Sequence, residues 1–331
     1  MNSPCRKMTD DFLRKIENYR KLIDSEIIAL LKKSEPQYLY DPIQYVFEGR
    51  GKRLRPILVF LSADMYSVET VDAMPAALSV ELLHNFSLVH DDIMDQDDLR
   101  HGKPTVYQKW DESAAILAGD AIFAMACSQL TCLEYCAVEA VRLFTDTTLK
   151  LCEGQALDKA FEARSDVNIN DYLEMVSMKT GTLLSLCCQL GGLVGGASKD
   201  DLEALSKFGK LLGQSFQIQD DVLEIFSDTE TMGKSLGSDV ATGKVTYLSC
   251  AASDYDFAGW EDLTSSFKRK DMKSEIIPAL RNFFEECGLK TKAEQMVEEL
   301  LKLARVELES IQTVDKSNLA KFAELILQRR K

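Results

Sequence analysis

Apolar residues return along this chain at the spacing of helices. Phe12, Ile16, Tyr19, Ile23, Ile27 and Leu30 recur every three or four positions, and Tyr172, Leu173, Val176, Leu183 and Leu184 behave alike. That spacing is the stripe an α-helix buries on one face, and the sustained alternation a strand needs is missing. Proline supports the reading. None of the seven falls between Pro104 and Pro278, so long uninterrupted helices are permitted there. The pattern predicts a single all-α domain over residues 1–331, with ten or more helices. The predicted breaks are short. Asn168-Ile-Asn-Asp171 reads as a helix start. Gly191 to Ser198 reads as a turn between two long helices, Ser227 to Lys244 as a glycine-containing loop, and Ser253 to Gly259 as another irregular stretch.

Two of these helical stretches carry charge where the pattern otherwise calls for burial. The first is Asp91-Asp92-Ile93-Met94-Asp95, prolonged by Asp97 and Asp98; the second is Asp220-Asp221-Val222-Leu223-Glu224. Each has carboxylates at i, i+1 and i+4, and i and i+4 share a helix face. Such like charges repel by roughly 0.2–0.5 kcal/mol per pair on an isolated helix, and burial raises that cost. The first cluster also falls at the C-terminal part of its helix, where the dipole favours cations. In the second, Gln217, Asp220, Asp221 and Glu224 fall along one stripe. A solvated acidic face is the plainer reading of either cluster alone. A calcium loop fits poorly, because the EF-hand spacing and its glycine are absent. Two matched oxygen-only arrays point instead to Mg²⁺ or another hard cation.

Basic residues complete the chemistry. Gly49-Arg50-Gly51-Lys52-Arg53-Leu54-Arg55-Pro56 brackets a glycine turn with four cations ahead of a helix, a combination that suits a diphosphate. Lys179-Thr180-Gly181 interrupts an apolar helix, and Lys234 and Lys244 punctuate the glycine loop. The net charge of −14 disfavours nucleic acid and anionic membranes as partners, so an anionic substrate must be held by local cations or metal. Nine cysteines without a CxxC pair, scattered through apolar segments, read as buried free thiols in a reducing compartment. No signal peptide and no uncharged apolar run of membrane-spanning length is apparent. A cytoplasmic enzyme without a membrane span is the expectation.

Taken in order, these segments resemble the trans-isoprenyl diphosphate synthases, with archaeal-type geranylgeranyl diphosphate synthases the nearest in pattern. The resemblance runs through GKRLRP at 51–56, LVHDDIMD at 88–95, LRHGKPT at 99–105, KTG at 179–181, FQIQDD at 216–221, Gly233-Lys234 and Gly243-Lys244. It implies a bundle of mostly antiparallel helices around a deep central cavity, usually as a homodimer. It implies condensation of isopentenyl diphosphate with allylic diphosphates (dimethylallyl, geranyl, farnesyl). It implies three Mg²⁺ ions, with Mn²⁺ as a substitute. By this resemblance Asp91, Asp95 and Asp220 hold the metal, supported by Asp92, Asp221 and Glu224. Arg100, Lys179, Thr180, Gln217, Lys234 and Lys244 bind the allylic diphosphate. Lys52, Arg55, His84 and His101 bind isopentenyl diphosphate. Two positions depart from the family pattern: His101 stands where a second arginine is usual, and Glu224 where aspartate is usual.

Product length turns on the residues one turn before Asp91. Phe86 is bulky enough to floor the tail channel, whereas Ser87 is small. Phe at the fifth upstream position, with two residues between the aspartates, is similar to archaeal-type enzymes and implies a C20 product, with C15 as a co-product. The alternatives are a farnesyl or longer-chain synthase, a terpene cyclase or head-to-head condensing enzyme of the same architecture, a non-catalytic subunit, and a plain cation-binding protein. The Lys52/Arg55/His84 site favours elongation over cyclisation. The intact Asp91, Asp92, Asp95 and Asp220 favour an active enzyme.

Overall fold

The computed structural model describes residues 4–49, 51–227, 244–269, 273–312 and 315–327. They are helical almost throughout, as the periodicity predicts. The order is α1 (Pro4–Leu30), α2 (Gln37–Phe47), α3 (Leu54–Asp64), α4 (Thr70–Asp95), β1 (Leu99–Arg100), β2 (Lys103–Pro104), α5 (Val106–Lys109), α6 (Glu112–Leu130), α7 (Ala137–Phe161) and α8 (Ile169–Val176). A π-helical segment, Ser177–Gly181, follows without a break, and then α9 (Thr182–Val194), α10 (Lys199–Phe226), α11 (Tyr247–Tyr255), α12 (Phe257–Arg269), α13 (Lys273–Glu286), α14 (Leu289–Ser310) and α15 (Ser317–Leu327). Contacts divide the chain into two compact units. The first comprises residues 1–146, 186–206 and 308–322; the second comprises 147–185, 207–307 and 323–331.

In the first unit, α4 packs against α3 and α6. Ala73, Ala76, Ala77, Val80, Leu82 and Leu83 of α4 are fully buried. Each buried leucine contributes about 1.5–3 kcal/mol, and the alanines let neighbouring helices approach. Gly191 serves the same end. It lies inside α9, and a Cβ there would stand 2.6 Å from Ser62 Cβ of α3. The predicted turn at Gly191–Ser198 is therefore shorter than the sequence suggested: helix runs through Val194, because Gly191 and Gly192 are selected for close packing and not for a bend. The small β1–β2 hairpin is an addition to the all-helical expectation. Leu99 pairs with Pro104 and Arg100 with Lys103. His101 and Gly102 both have positive φ, 51° and 76°, the signature of a type I′ turn.

The second unit is built around Tyr172, Val176, Ile218, Val222, Tyr247 and Phe284. Asn168 starts α8 with a capping box: its side chain accepts from the Asp171 amide, and Asp171 accepts from the Asn168 amide. The irregular stretch predicted at Ser253–Gly259 shrinks to the single residue Asp256 between α11 and α12. Cysteine burial is mixed. Cys187, Cys188 and Cys250 are buried as expected, but Cys132 and Cys152 are exposed, since they fall on outward helix faces or turns. Among the described residues one helix, α6, is long and apolar enough to cross a membrane; one side of it packs on α4.

Candidate active site

His84, Asp91 and Asp95 lie on one stripe of α4, since offsets of seven and eleven residues return to the same face. Asp91 and Asp95 are half-buried. The helix ends just beyond them at Gln96, in the left-handed conformation with φ 55°. Asp92 points elsewhere: it is buried and accepts from Arg100 Nε at 2.5 Å, while Arg100 Nη2 reaches Asp97 at 3.4 Å. The hairpin thus delivers Arg100 to the acidic turn as its counter-ion. His101 is exposed at the hairpin tip, and its positive φ suits a residue type that tolerates the left-handed region.

Lys52 and Arg55 flank the start of α3. His84, half-buried on α4, has its pKa held well below 6.5 by burial and by the charges of Arg55, Arg100, His101 and Arg53. It is a neutral imidazole at physiological pH. Ser87 donates its hydroxyl back to the His84 carbonyl at 2.8 Å. The Phe86 ring meets His90 edge-on at 4.8 Å between centroids and Phe123 of α6 at 5.2 Å; Phe123 in turn meets Phe144 of α7 at 5.7 Å. Phe86 is therefore the first of three linked aromatic rings.

In the second unit, Asp220 is half-buried, and Asp221 and Glu224 are buried. Asp221 accepts from Tyr172 Oη at 2.6 Å, from the Tyr247 amide at 2.8 Å and from Gln217 Nε2 at 3.1 Å. Burial, and then the charge of Asp221, raise the Tyr172 pKa far above its ordinary value. Asp221 thus ties α8 and α11 to α10. The same network continues to the π segment, where Thr180 donates to Gln217 Oε1 at 3.2 Å. Lys179 Nζ is paired with Asp158 at 2.6 Å. The π segment fits because glycines face it: Gly154 of α7 lies against the Lys179 backbone, and Gly213 of α10 against Gly181. Arg281 donates to the carbonyls of Ile225 and Ser227, closing the C-terminus of α10 where such groups are otherwise orphaned. Lys244 is half-buried just before α11. Lys234 lies outside the described residues.

Two residues escaped the sequence reading. Asp158 is buried and holds Lys179. Gln155, one turn earlier on α7, is buried with neither amide atom hydrogen-bonded, an arrangement that costs about 1–3 kcal/mol. The signal was the polar pair Gln155 and Asp158 beside Gly154 on a long helix.

Among the described residues no three Asp, Glu, His or Cys groups converge to hold a metal by themselves. The donor set nonetheless fits Mg²⁺, which keeps several waters and binds through one or two carboxylates plus substrate phosphates. Asp91 with Asp95, and Asp220, supply hard oxygen donors of that kind.

Long helices bearing a carboxylate turn in each unit, with cations beside them, define the isoprenyl diphosphate synthase class of all-α folds. Residues 36–282 match the polyprenyl synthetase family, and the chain belongs to it. It is 42% identical over 236 residues to a geranylgeranyl diphosphate synthase of Methanosarcina mazei, covering 70% of this chain and 73% of that protein. It is 35% identical over 326 residues to a short chain isoprenyl diphosphate synthase of Methanothermobacter thermautotrophicus, covering 96% and 98%. The crystal structure of a geranylgeranyl pyrophosphate synthetase from Pyrococcus horikoshii superposes with a TM-score of 0.87 at 33% identity, covering 97% of this chain and 99% of that one.

Proposed function

We propose that this chain is a Mg²⁺-dependent prenyltransferase that condenses isopentenyl diphosphate with allylic diphosphates, giving chiefly the C20 trans product. The observation that carries the reading is the single α4 stripe of His84, Asp91 and Asp95. It sets a neutral hydrogen-bonding group about 10 Å along the helix from a pair of hard-cation ligands. The family match and the names of the relatives support the same activity.

In this reading Asp91, Asp95 and Asp220 would hold Mg²⁺, with Asp92 and Glu224 behind them. Bound Mg²⁺ neutralises the leaving diphosphate. Arg100, Lys179, Thr180 and Gln217 orient the allylic diphosphate, with Lys234 and Lys244 contributed by the glycine-containing stretch. Lys52, Arg55 and His84 hold isopentenyl diphosphate at close range, which removes most of the entropic cost of the encounter; His101 adds a weaker contact. The allylic C–O bond breaks with its electron pair leaving on diphosphate. The isopentenyl double bond then forms the new C–C bond, and the proton released passes to the departing diphosphate. Apolar walls exclude water that would quench the cation. Phe86, backed by Phe123, limits the tail to four isoprene units, while Ser87 leaves room beside it. The exposed Ile116 and Leu117 of α6 support assembly as a homodimer, and the free thiols suit the cytoplasm.

The test is chain extension. The protein is incubated with Mg²⁺, labelled isopentenyl diphosphate and each of the C5, C10 and C15 allylic diphosphates, and the dephosphorylated products are separated by length. Absence of extension with every primer rejects the activity. Extension that survives Asp91→Ala rejects the metal assignment.

A further inference from the structure

The four cations of the Gly49–Pro56 segment do not act alike. Arg53 turns inward and is only 7% exposed, although its neighbour Lys52 is exposed. Its Nη1 donates to Glu81 of α4 at 2.6 Å, and its Nε to Asp24 of α1 at 2.8 Å. Its Nη2 reaches back to the Gly49 carbonyl at 3.3 Å. Glu81 is itself only 4% exposed and is further held by Asn85, whose amide donates to the Glu81 carbonyl at 2.8 Å and to its carboxylate at 3.3 Å.

Two backbone features serve this arrangement. Arg53 has φ 51°, a left-handed geometry that is costly for a residue with a Cβ and persists only where its surroundings enforce it. A Cβ on Gly51 would stand 3.2 Å from the Arg53 guanidinium, so glycine gives the side chain room to fold back. Burial disfavours the Arg53 charge, but Glu81 and Asp24 outweigh it and raise its pKa. The guanidinium remains a permanent cation.

We infer that Arg53 is a positioning residue for the homoallylic substrate. Its buried fork, clamped by Glu81 and Asp24, sets the register of Lys52 and Arg55 against His84. The network joins both sides of that anion site. One end fixes the turn that carries Lys52 and Arg55; the other fixes the α4 turn in which His84 sits between Glu81 and Asn85. A planar guanidinium suits this task because two of its edges are satisfied at once in fixed directions, which lysine cannot reproduce. The inference rests on the reading that Lys52, Arg55 and His84 bind isopentenyl diphosphate.

Four variants test it: Arg53→Lys, which keeps the charge and loses the fork; Arg53→Gly, which relaxes φ and loses the anchor; Arg53→Met with Glu81→Gln, which leaves no unpaired charge at that contact; and Asp24→Asn, a mild change at a partly exposed partner. Steady-state KM is measured for isopentenyl diphosphate and, separately, for the allylic primer, alongside the unfolding temperature. The expected result is a rise in KM for isopentenyl diphosphate of about tenfold or more, the effect of losing one charge-assisted hydrogen bond, with KM for the primer within twofold of wild type. Asp24→Asn should shift it less, in the same direction. Parallel changes in both KM values, or lower thermal stability with both KM values unchanged, would show an ordinary structural ion pair and overturn the inference. Should any Arg53 variant fail to fold, Asp24→Asn alone decides between these outcomes. A wild-type protein that extends no primer rejects the underlying reading instead, so the two failures are distinguishable.

Discussion

Replacing Gly154 with alanine tests whether the π segment is held in register by backbone contact. The added methyl would stand 2.5 Å from the Lys179 amide nitrogen, 2.8 Å from the Met178 carbonyl carbon and 2.9 Å from Lys179 Cα. Carbon contacts are comfortable at about 3.5–4.0 Å, so the segment must retreat by roughly 1 Å. All three atoms are backbone, and no side-chain rotation relieves the overlap. Overpacking of this kind costs about 1–3 kcal/mol, while alanine returns about 0.8–1.0 kcal/mol in a helix interior. The net loss of stability is therefore small, a few degrees in Tm for a chain of this size. Activity responds differently, because a displacement of about 1 Å in a positioning group costs on the order of 10²-fold. The expected outcome is a kcat near one-hundredth of wild type, in extension of geranyl diphosphate at saturating isopentenyl diphosphate, with Tm lower by only a few degrees. Gly192→Ala is the control. Its methyl meets first the Leu205 Cδ1 atom, the end of a flexible side chain, and activity should persist. A Gly154→Ala enzyme within threefold of wild type would refute the argument.

Phe86→Ala should lengthen the product by at least one isoprene unit, and Phe123→Ala should do so less completely, since its ring backs Phe86 at 5.2 Å; identical product profiles for both variants and wild type would remove the aromatic floor. Gln155→Leu should raise Tm, because it eliminates a buried amide without partners, worth about 1–3 kcal/mol, yet lower kcat; a gain in stability with full activity would make Gln155 merely a tolerated defect. The folded His84 pKa lies well below the ordinary 6.5, so the unfolded chain takes up this proton first. Its contribution to stability is complete above pH of about 6.5 and is lost as the pH falls toward the folded pKa. A His84→Asn variant should lose less Tm between pH 7.5 and 5.5 than wild type, and parallel curves would contradict the assignment.

Helices were legible because burial imposes a period on the sequence, and the stripes at Phe12–Leu30 and Tyr172–Leu184 translate directly into α1 and the α8–π–α9 run. Glycine misled at Gly191 and gave no signal at Gly154. At Gly191 it marks a crossing of two helices and not a turn; at Gly154 it marks the seat of a backbone segment two helices further on. Both functions require only a missing Cβ, and sequence alone does not say what fills the space. The π segment was half visible: Lys179-Thr180-Gly181 stood out as an interruption, but a shift in hydrogen bonding from i−4 to i−5 leaves no compositional mark. The hairpin at Leu99–Pro104 was too short to show alternation, and only His101-Gly102 signals its turn.

Charge was the least legible property, because residue type carries sign without direction. The sequence shows cations near carboxylates and suggests that the cations await an anion. The structure gives several of them protein partners. Arg100 pairs with Asp92, Lys179 with Asp158, and Arg53 with both Glu81 and Asp24. These pairs answer the electrostatic objection to the acidic turns, since Asp92 beside Arg100 no longer adds a full charge to Asp91 and Asp95. They also divide the cations by burial. Arg53 and its carboxylate Glu81 are both nearly inaccessible, and removing one member of such a pair leaves a stranded charge at a cost of about 3–5 kcal/mol. In the Arg100 and Lys179 pairs the carboxylates are equally buried, at 6% and 7%, but the cation keeps 20% and 25% of its side-chain surface, so a diphosphate can approach the cation's open edge. In the proposed reaction the two half-open pairs offer that edge to diphosphate while the fully buried one holds the frame. The net charge of −14 opposes a diphosphate arriving alone, whereas Mg²⁺ bound at the carboxylates would offset that repulsion.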